Sequence, residues 1–267
     1  MKPTPDTWIV HAGRVCFGLG IAGLGIQHFV IANFVAVAIP FRVASTGLPN
    51  ALGVLLLLAG AGICLGRAVR PVCLLLGAFF VVAFVFAHLP DAFAQWRKVP
   101  AGTPAWQVMY LGTTPLKALV FAGGAWLIAS LYPGGTPRSD RFLRMSGAYT
   151  LGFFLLYCGI EHFIYLDFVA ALIANWIPAH VFWAKFAGGA LIAGGLGLLT
   201  GILAPLAGGL SGLMIFLWVF LLHIPRALAD PISLHGNEWT SVLEATAYSG
   251  IGFILWRALP ARSPKAA

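Results

Sequence analysis

Two short sequence phrases that contain histidine occur twice in this chain of 267 residues. The phrase G-I-x-H-F places His28 and His162 134 residues apart, and the phrase H-x-P places His88 and His223 135 residues apart. Imidazole nitrogens bind iron, copper and zinc, and they exchange protons near neutral pH. A duplication that keeps two histidines in each copy therefore predicts paired sites, and His28 with His88 and His162 with His223 are the natural pairs.

A carboxylate accompanies the histidines of the second copy. Glu161 directly precedes His162 inside an apolar run, where a charge is costly and indicates either a functional site or an ion pair. Such a carboxylate also fixes the tautomer of a ligating imidazole. The predicted cofactor-binding residues are therefore His28, His88, Glu161, His162 and His223, with a quinone, a haem or a transition metal as the ligand. If a metal binds, the four histidines are its ligands.

Two further pairs of residues could act at the same sites. Lys117 in T-T-P-L-K and Glu244 in T-S-V-L-E occupy matching places in the two copies, which predicts an ion pair between the halves. Glu238 and Trp239 open the last apolar segment. They favour a helix start at the membrane surface, or they cover a site beside His223. The remaining histidines, including His235, have no duplicate and are expected at the surface.

The composition indicates the class of protein. Sixty per cent of the residues are apolar and nine per cent are charged. Apolar runs of 18 or more residues recur, as in an all-α, polytopic membrane bundle. The net charge of +8 does not indicate nucleic-acid binding, because the basic residues lie in short loops and near the termini. The predicted partner is the lipid bilayer.

The apolar runs predict eight spans, arranged as two parallel repeats of four helices. A basic, turn-rich linker begins at Pro133 and joins repeat 1–135 to repeat 136–267. The first and fifth spans are longer than a bilayer requires and are expected to tilt, kink or leave the membrane early near Pro40 and Pro178. The predicted spans are 14–40, 48–66, 70–89, 107–132, 145–174, 180–201, 204–224 and 240–259.

The distribution of basic residues predicts the orientation in a bacterial inner membrane. With both termini in the cytoplasm, ten of the 16 Lys and Arg residues lie on the cytoplasmic side and five on the opposite side, which fits the positive-inside rule. Both copies then insert the same way up, around an axis along the membrane normal. His28 lies about 21 Å along its helix from Arg14, at 1.5 Å per residue. All four paired histidines are thus expected in the outer leaflet.

Several phrases together resemble the DoxX-like family of bacterial membrane proteins. They are G-I-x-H-F, the following F-V-A, the glycine-rich second span, H-x-P at the end of the third span, and N-E-W-T-S-V-L-E at the start of the last. The first copy has Ala105-Trp106-Gln107 in place of N-E-W. Members typically have four spans, so the resemblance implies two fused units. It also implies a link to redox chemistry, since related proteins take part in thiosulfate:quinone oxidoreduction and oxidative-stress complexes. It assigns no catalytic residue.

Three functions are open from the sequence. The first is a redox-associated subunit that binds a quinone, haem or metal and works with a membrane or periplasmic redox partner. The second is a carrier or channel for a small solute, since ionisable groups within spans are common in transporters. The third is a scaffold without a catalytic site that recruits a soluble partner through loops 91–106 and 225–239.

Overall fold

The computed structural model describes residues 7–232 and 235–260, and this part of the chain is all-helical, without a β-strand. The helices in this part are α1 (Trp8–Val30), α2 (Gly47–Leu65), α3 (Val69–Ala83), α4 (Leu89–Trp96), α5 (Tyr110–Ala129), α6 (Pro137–Ile164), α7 (Leu166–Ala171), α8 (His180–Thr200), α9 (Ala204–Trp218), α10 (Ile224–Ala229) and α11 (Asn237–Ala258).

Seven helices in the described residues are long and apolar enough to cross a membrane. They are α1, α2, α5, α6, α8, the continuous helix Val69–Trp96 that contains α3 and α4, and Ala204–Ala229 that contains α9 and α10. The chain is therefore a multi-pass helical membrane protein. Helix α11 has 22 residues and is long enough to span as well, but its most apolar stretch falls short of the hydropathy of the seven.

Helices α5 and α11 form the centre of the bundle. Most of their residues are buried, because α5 packs against α3 and α6 while α11 packs against α1 and α9. A helix that neighbouring helices shield from lipid can carry polar side chains on its inner faces. This position explains why α11 tolerates a lower hydropathy than the outer helices.

The first and fifth predicted spans begin and end earlier than the sequence predicted. Helix α1 ends at Val30 and α6 at Ile164, well before Pro40 and Pro178. The N-terminus of α6 is fixed by a capping box, in which Thr136 and Ser139 each accept a hydrogen bond from the other's backbone N–H, followed by proline at the first helical position. The predicted start at residue 145 was based on hydropathy alone, and it therefore missed the polar first turns that follow this cap.

Both H-x-P phrases form the same local structure. Each histidine is the last residue of a five-residue π-helical turn, Phe84–His88 in one case and Val219–His223 in the other. Pro90 and Pro225 follow two residues later. Proline cannot donate a backbone hydrogen bond and its ring collides with the preceding helical turn, so a π turn accommodates it without ending the helix.

The two ends of the bundle differ in their polar contacts. We call the end where α1 and α6 finish and α5 and α11 begin the histidine end, and the opposite end the arginine end. At the arginine end Arg14 donates to the carbonyl groups of Ile63 and Cys64. Arg70 forms an ion pair with Asp140 at 2.9 Å and donates to the carbonyl oxygens of Ala129 and Tyr132 at the end of α5.

Glycines allow close contact between helices at two matching places. Gly25 of α1 faces Gly53 of α2, and Gly159 of α6 faces Gly188 of α8. A methyl group added at Gly25 would lie 2.6 Å from the Gly53 carbonyl oxygen, and one added at Gly159 would lie 2.8 Å from the Gly188 carbonyl oxygen. Small residues at these contacts bring the helix backbones together, as is common in membrane bundles.

Replacing Gly25 with alanine is therefore expected to destabilise the protein. Gly25→Ala should lower the free energy of unfolding by about 1–3 kcal/mol, because the added methyl group overpacks a backbone contact. The midpoint of thermal unfolding in mild detergent measures the effect. Gly189→Ala is the matched control, since open space surrounds a methyl group at that position. Equal midpoints for the two variants would contradict the proposed contact.

Candidate functional site

The segment between α1 and α2, residues 31–46, folds as turns at the histidine end, and His28 holds it there. The His28 side chain is fully buried. Its Nδ1 lies 2.7 Å from the carbonyl oxygen of Leu24, and its Nε2 accepts a hydrogen bond from the backbone N–H of Val35 at 3.3 Å. These partners require the tautomer with hydrogen on Nδ1, which leaves neither ring nitrogen free.

His88 binds the same segment from the other side. Its ring is buried, and Nε2 donates a hydrogen bond to the carbonyl oxygen of Val37 at 3.2 Å. Its Nδ1 is buried without a hydrogen-bond partner among the described residues. The two first-half histidines therefore converge on residues 35–37, and both satisfy backbone groups of a non-helical segment.

The histidines of the second half have different surroundings. His162 Nδ1 donates to the carbonyl oxygen of Cys158 at 2.7 Å, which repeats the His28–Leu24 contact, and its ring stacks on Trp218 at 6.4 Å between centroids. His223 is half-buried and lies within electrostatic range of Lys117. The two halves therefore use the same residue type in two different ways.

His28 does not fit a metal or haem ligand set in this arrangement. A metal requires a free imidazole nitrogen, and both nitrogens of His28 are engaged. Across residues 7–232 and 235–260, no group of three or more His, Cys, Asp or Glu side chains is arranged to hold a metal ion. Ligation by His28 would require the segment around Val35 to move away. The metal sites remain a prediction of the sequence.

Lys117 and Glu244 meet at the centre of the bundle. Lys117 Nζ lies 2.7 Å from Glu244 Oε2, and this ion pair joins α5 to α11. Both side chains are largely removed from solvent. The Tyr248 hydroxyl donates to the Lys117 carbonyl oxygen at 3.3 Å, one helical turn further from the histidine end.

A matching pair of polar contacts lies one turn closer to the histidine end. The Thr113 hydroxyl of α5 donates to Glu161 Oε1 of α6 at 2.8 Å. Gln27 Nε2 of α1 donates to the Thr240 hydroxyl of α11 at 2.7 Å. Neither threonine is among the site residues predicted from the sequence. Both could have been found from the duplication, because Thr113 and Thr240 begin the same aligned phrases that contain Lys117 and Glu244.

The Lys117–Glu244 pair forms part of the wall of a cavity at the histidine end, which we call the chamber. Its volume is about 180 Å³. Segment 31–46 forms one wall, and the first turns of α5 and α11 form the other. The wall residues are Ile31, Phe34, Val35, Ala36, Val37, Ile39, Pro40, Phe41 and Arg42 on one side, and Thr114, Lys117, His235, Asn237, Thr240 and Glu244 on the other.

A second cavity of about 480 Å³ adjoins the chamber, and we call it the groove. Its lining is mainly apolar and shares Ile31 and His235 with the chamber. His235 is exposed, as expected of a surface residue, yet it borders both cavities. The groove residues are Gly23, Ile26, Gln27, Val30, Ile31, Pro231, Ile232, His235, Gly236, Trp239 and Leu243.

The two residues predicted as a lid have separate positions. Trp239 lines the groove and is about one third exposed. Glu238 forms a bidentate ion pair with Arg226, with N–O distances of 2.9 and 2.6 Å. Glu238 thus ties the start of α11 to α10, and it does not line the chamber.

Aromatic rings close the bundle beneath the ion pair. Phe121 stacks on Phe80 at 5.1 Å and contacts Tyr248 at 5.3 Å, and Tyr248 contacts Phe154 at 5.3 Å. Phe17 completes the cluster on the side of α1. These rings separate the chamber from the arginine end.

Neither a protein-family model, nor a curated protein, nor a solved structure matches this chain. The function of the chamber therefore has to be inferred from its own residues.

The Lys117–Glu244 pair makes a testable contribution to stability. Lys117→Met or Glu244→Gln alone is expected to cost about 3–5 kcal/mol, because each removes one partner of a buried ion pair. The double variant should be closer to the parent protein, since both charges are gone. Denaturant unfolding in mixed micelles measures all four proteins. Additive losses in the double variant would contradict the ion pair.

The role of His28 can be tested by hydrogen exchange. His28→Phe removes the acceptor for the Val35 N–H, so that amide should exchange about fivefold faster, as expected for the loss of about 1 kcal/mol of hydrogen bonding. His162→Phe is the matched control, because His162 binds no amide of segment 31–46. Peptide-resolved exchange by mass spectrometry measures the rates. An unchanged rate in His28→Phe would show that the histidine does not hold this segment.

Proposed function

We propose that this protein is a redox-linked membrane subunit that binds a quinone, with the ring in the chamber and the isoprenoid tail in the groove. The observation that carries the proposal is a small polar chamber, bordered by a buried ion pair, that adjoins an apolar groove. A quinone has the same two parts, a ring with two hydrogen-bond-accepting oxygens and a long apolar tail.

The chamber has a suitable size and chemistry for the ring. Its volume of about 180 Å³ exceeds that of an engineered cavity of about 150 Å³ that accepts benzene. Thr114, Asn237 and Lys117 offer hydrogen-bond donors to the ring oxygens. The apolar side chains of segment 31–46 cover the opposite face. When bound, a quinone would supply reversible two-electron chemistry.

The groove suits the tail because it lies on the lipid-facing side of the bundle. Ile26 and Val30 line it and are 51% and 78% exposed, on a helix that crosses the membrane. An apolar chain can therefore pass from the bilayer along the groove to the chamber, which it enters beside Ile31 and His235. A membrane or periplasmic redox partner would exchange electrons with the bound ring at this end.

We also propose the architecture that the sequence predicted, a tandem DoxX-like protein with α11 as its eighth span. Three repeated features support two parallel four-helix units: the paired π turns, the matching glycine contacts, and the Gln27–Thr240 and Glu161–Thr113 hydrogen bonds. With both termini on the cytoplasmic side of a bacterial inner membrane, the histidine end and the chamber lie in the outer leaflet.

The two alternative functions lack a comparable observation. A channel or carrier needs a route across the bundle, and the aromatic cluster around Phe121 blocks the space beneath the chamber. A scaffold does not need a chamber with a buried ion pair. If the binding test below shows that the protein binds no quinone, these two alternatives remain, and the assays named after it distinguish them.

Quinone binding is the direct test. The purified protein, freed of endogenous quinone, is titrated with a short-tailed ubiquinone analogue by isothermal calorimetry. Thr114→Phe fills the chamber and should weaken binding at least tenfold. Ser241→Phe, at the aligned place in α11 but outside both cavities, is the matched control and should bind as the parent protein does. Equal affinities in the two variants would overturn the ring site.

The tail site in the groove is tested with two matched tryptophan variants at the surface of the bundle. Ile26→Trp should weaken binding of a long-tailed quinone and leave a tail-less analogue unaffected. Ile160→Trp, the duplicate position in the second half, should change neither. If the parent protein binds no quinone, proteoliposome uptake and capture of a soluble partner distinguish a carrier from a scaffold.

A further inference from the structure

Glu161 is a buried carboxyl group that the chamber does not use. Only 9% of the residue is exposed. Its carboxyl oxygen accepts a hydrogen bond from the Thr113 hydroxyl at 2.8 Å. Lys117 is the cation within its electrostatic range among the described residues.

The charges around Glu161 do not balance when all groups are ionised. Lys117 is already paired with Glu244 at 2.7 Å, so one ammonium group faces two carboxyl groups. An unbalanced charge is expensive inside a membrane bundle. The cluster becomes neutral when one carboxyl group holds a proton. The titratable groups that face the cluster are Lys117 from α5, Glu244 and Tyr248 from α11, Tyr157 and Cys158 from α6, and His223 from the turn after α9.

The fold does not need a carboxyl group at this place. On the opposite side of the bundle Gln27 makes the corresponding contact with Thr240 through a neutral amide. An amide and a carboxyl group have nearly the same shape, so packing alone would be satisfied by glutamine in both halves. The acid at 161 therefore adds a capacity that the matching contact lacks, namely the binding of a proton.

We propose that Glu161 is a proton-binding site of this protein. A proton taken from water at the histidine end forms an O–H bond on the Glu161 carboxyl group, and the same proton is released by the reverse step. Glu161 lies in the last turn of α6, close to that end of the bundle. Lys117 is paired with Glu244 and also interacts electrostatically with Glu161, and Glu244 borders the chamber, so the proton site is electrostatically coupled to the chamber.

The site goes beyond the proposed quinone binding and does not depend on it. Thr114→Phe should weaken quinone binding at least tenfold and leave proton binding at Glu161 intact. A failure of one proposal is therefore distinguishable from a failure of the other.

Infrared difference spectroscopy of the full-length protein tests the proton site. The chain has only three glutamates, Glu161, Glu238 and Glu244, so carbon-13 labelling of glutamate carboxyl groups isolates three signals. We expect a carbonyl stretch of a protonated, labelled carboxylic acid that loses intensity as the pH rises. Glu161→Gln should remove the whole band, and it should fold because glutamine occupies the matching position 27.

Glu238→Gln is the matched control and should leave the band unchanged, because Glu238 is paired with Arg226. The proposal is overturned if the parent protein has no labelled acid band at any pH, or if the band survives in Glu161→Gln. It is also overturned if replacing potassium with sodium at constant ionic strength removes the band, because the site then binds a metal cation.

Discussion

The ion pair between Lys117 and Glu244 is the constraint on which the polar structure of this bundle depends. Each charge alone would be prohibitively expensive at this depth, so the two helices that carry them must stay adjacent and in register. Because α5 comes from the first half of the chain and α11 from the second, the pair also fixes how the halves meet. The threonine contacts one turn away, the chamber, and the aromatic cluster beneath all take their positions from these two central helices.

The histidines illustrate a second constraint, that of backbone hydrogen bonding in a buried, non-helical segment. Buried backbone N–H and C=O groups outside a helix need other hydrogen-bond partners. His28 and His88 supply such partners to Val35 and Val37, and so hold the turns between α1 and α2 against the bundle. A pair of histidines in an apolar sequence is thus as consistent with holding a loop as with binding a cofactor.

The sequence predicted what depends on hydropathy and duplication. The helices at 48–66 and 180–201 were placed within one residue of α2 and α8, and the aligned phrases placed Lys117 and Glu244 at the same height. It did not predict segment 31–46, because no periodic pattern shows that a loop turns back onto the helix before it. The hydrogen bond between Gln27 and Thr240 was also not predicted, since both side chains are neutral and the site residues were inferred from histidines and charged groups.

The packing of the outer helices has a consequence for how the protein is made. Helix α1 packs against α2 and against α11, which is the last described helix to leave the ribosome. Until α11 inserts, one face of α1 has only lipid beside it, and Glu161 of α6 is the carboxyl group available to Lys117. The native bundle therefore closes only when α11 inserts, and a chain stalled before α11 would lack both the second contact surface of α1 and the Lys117–Glu244 ion pair.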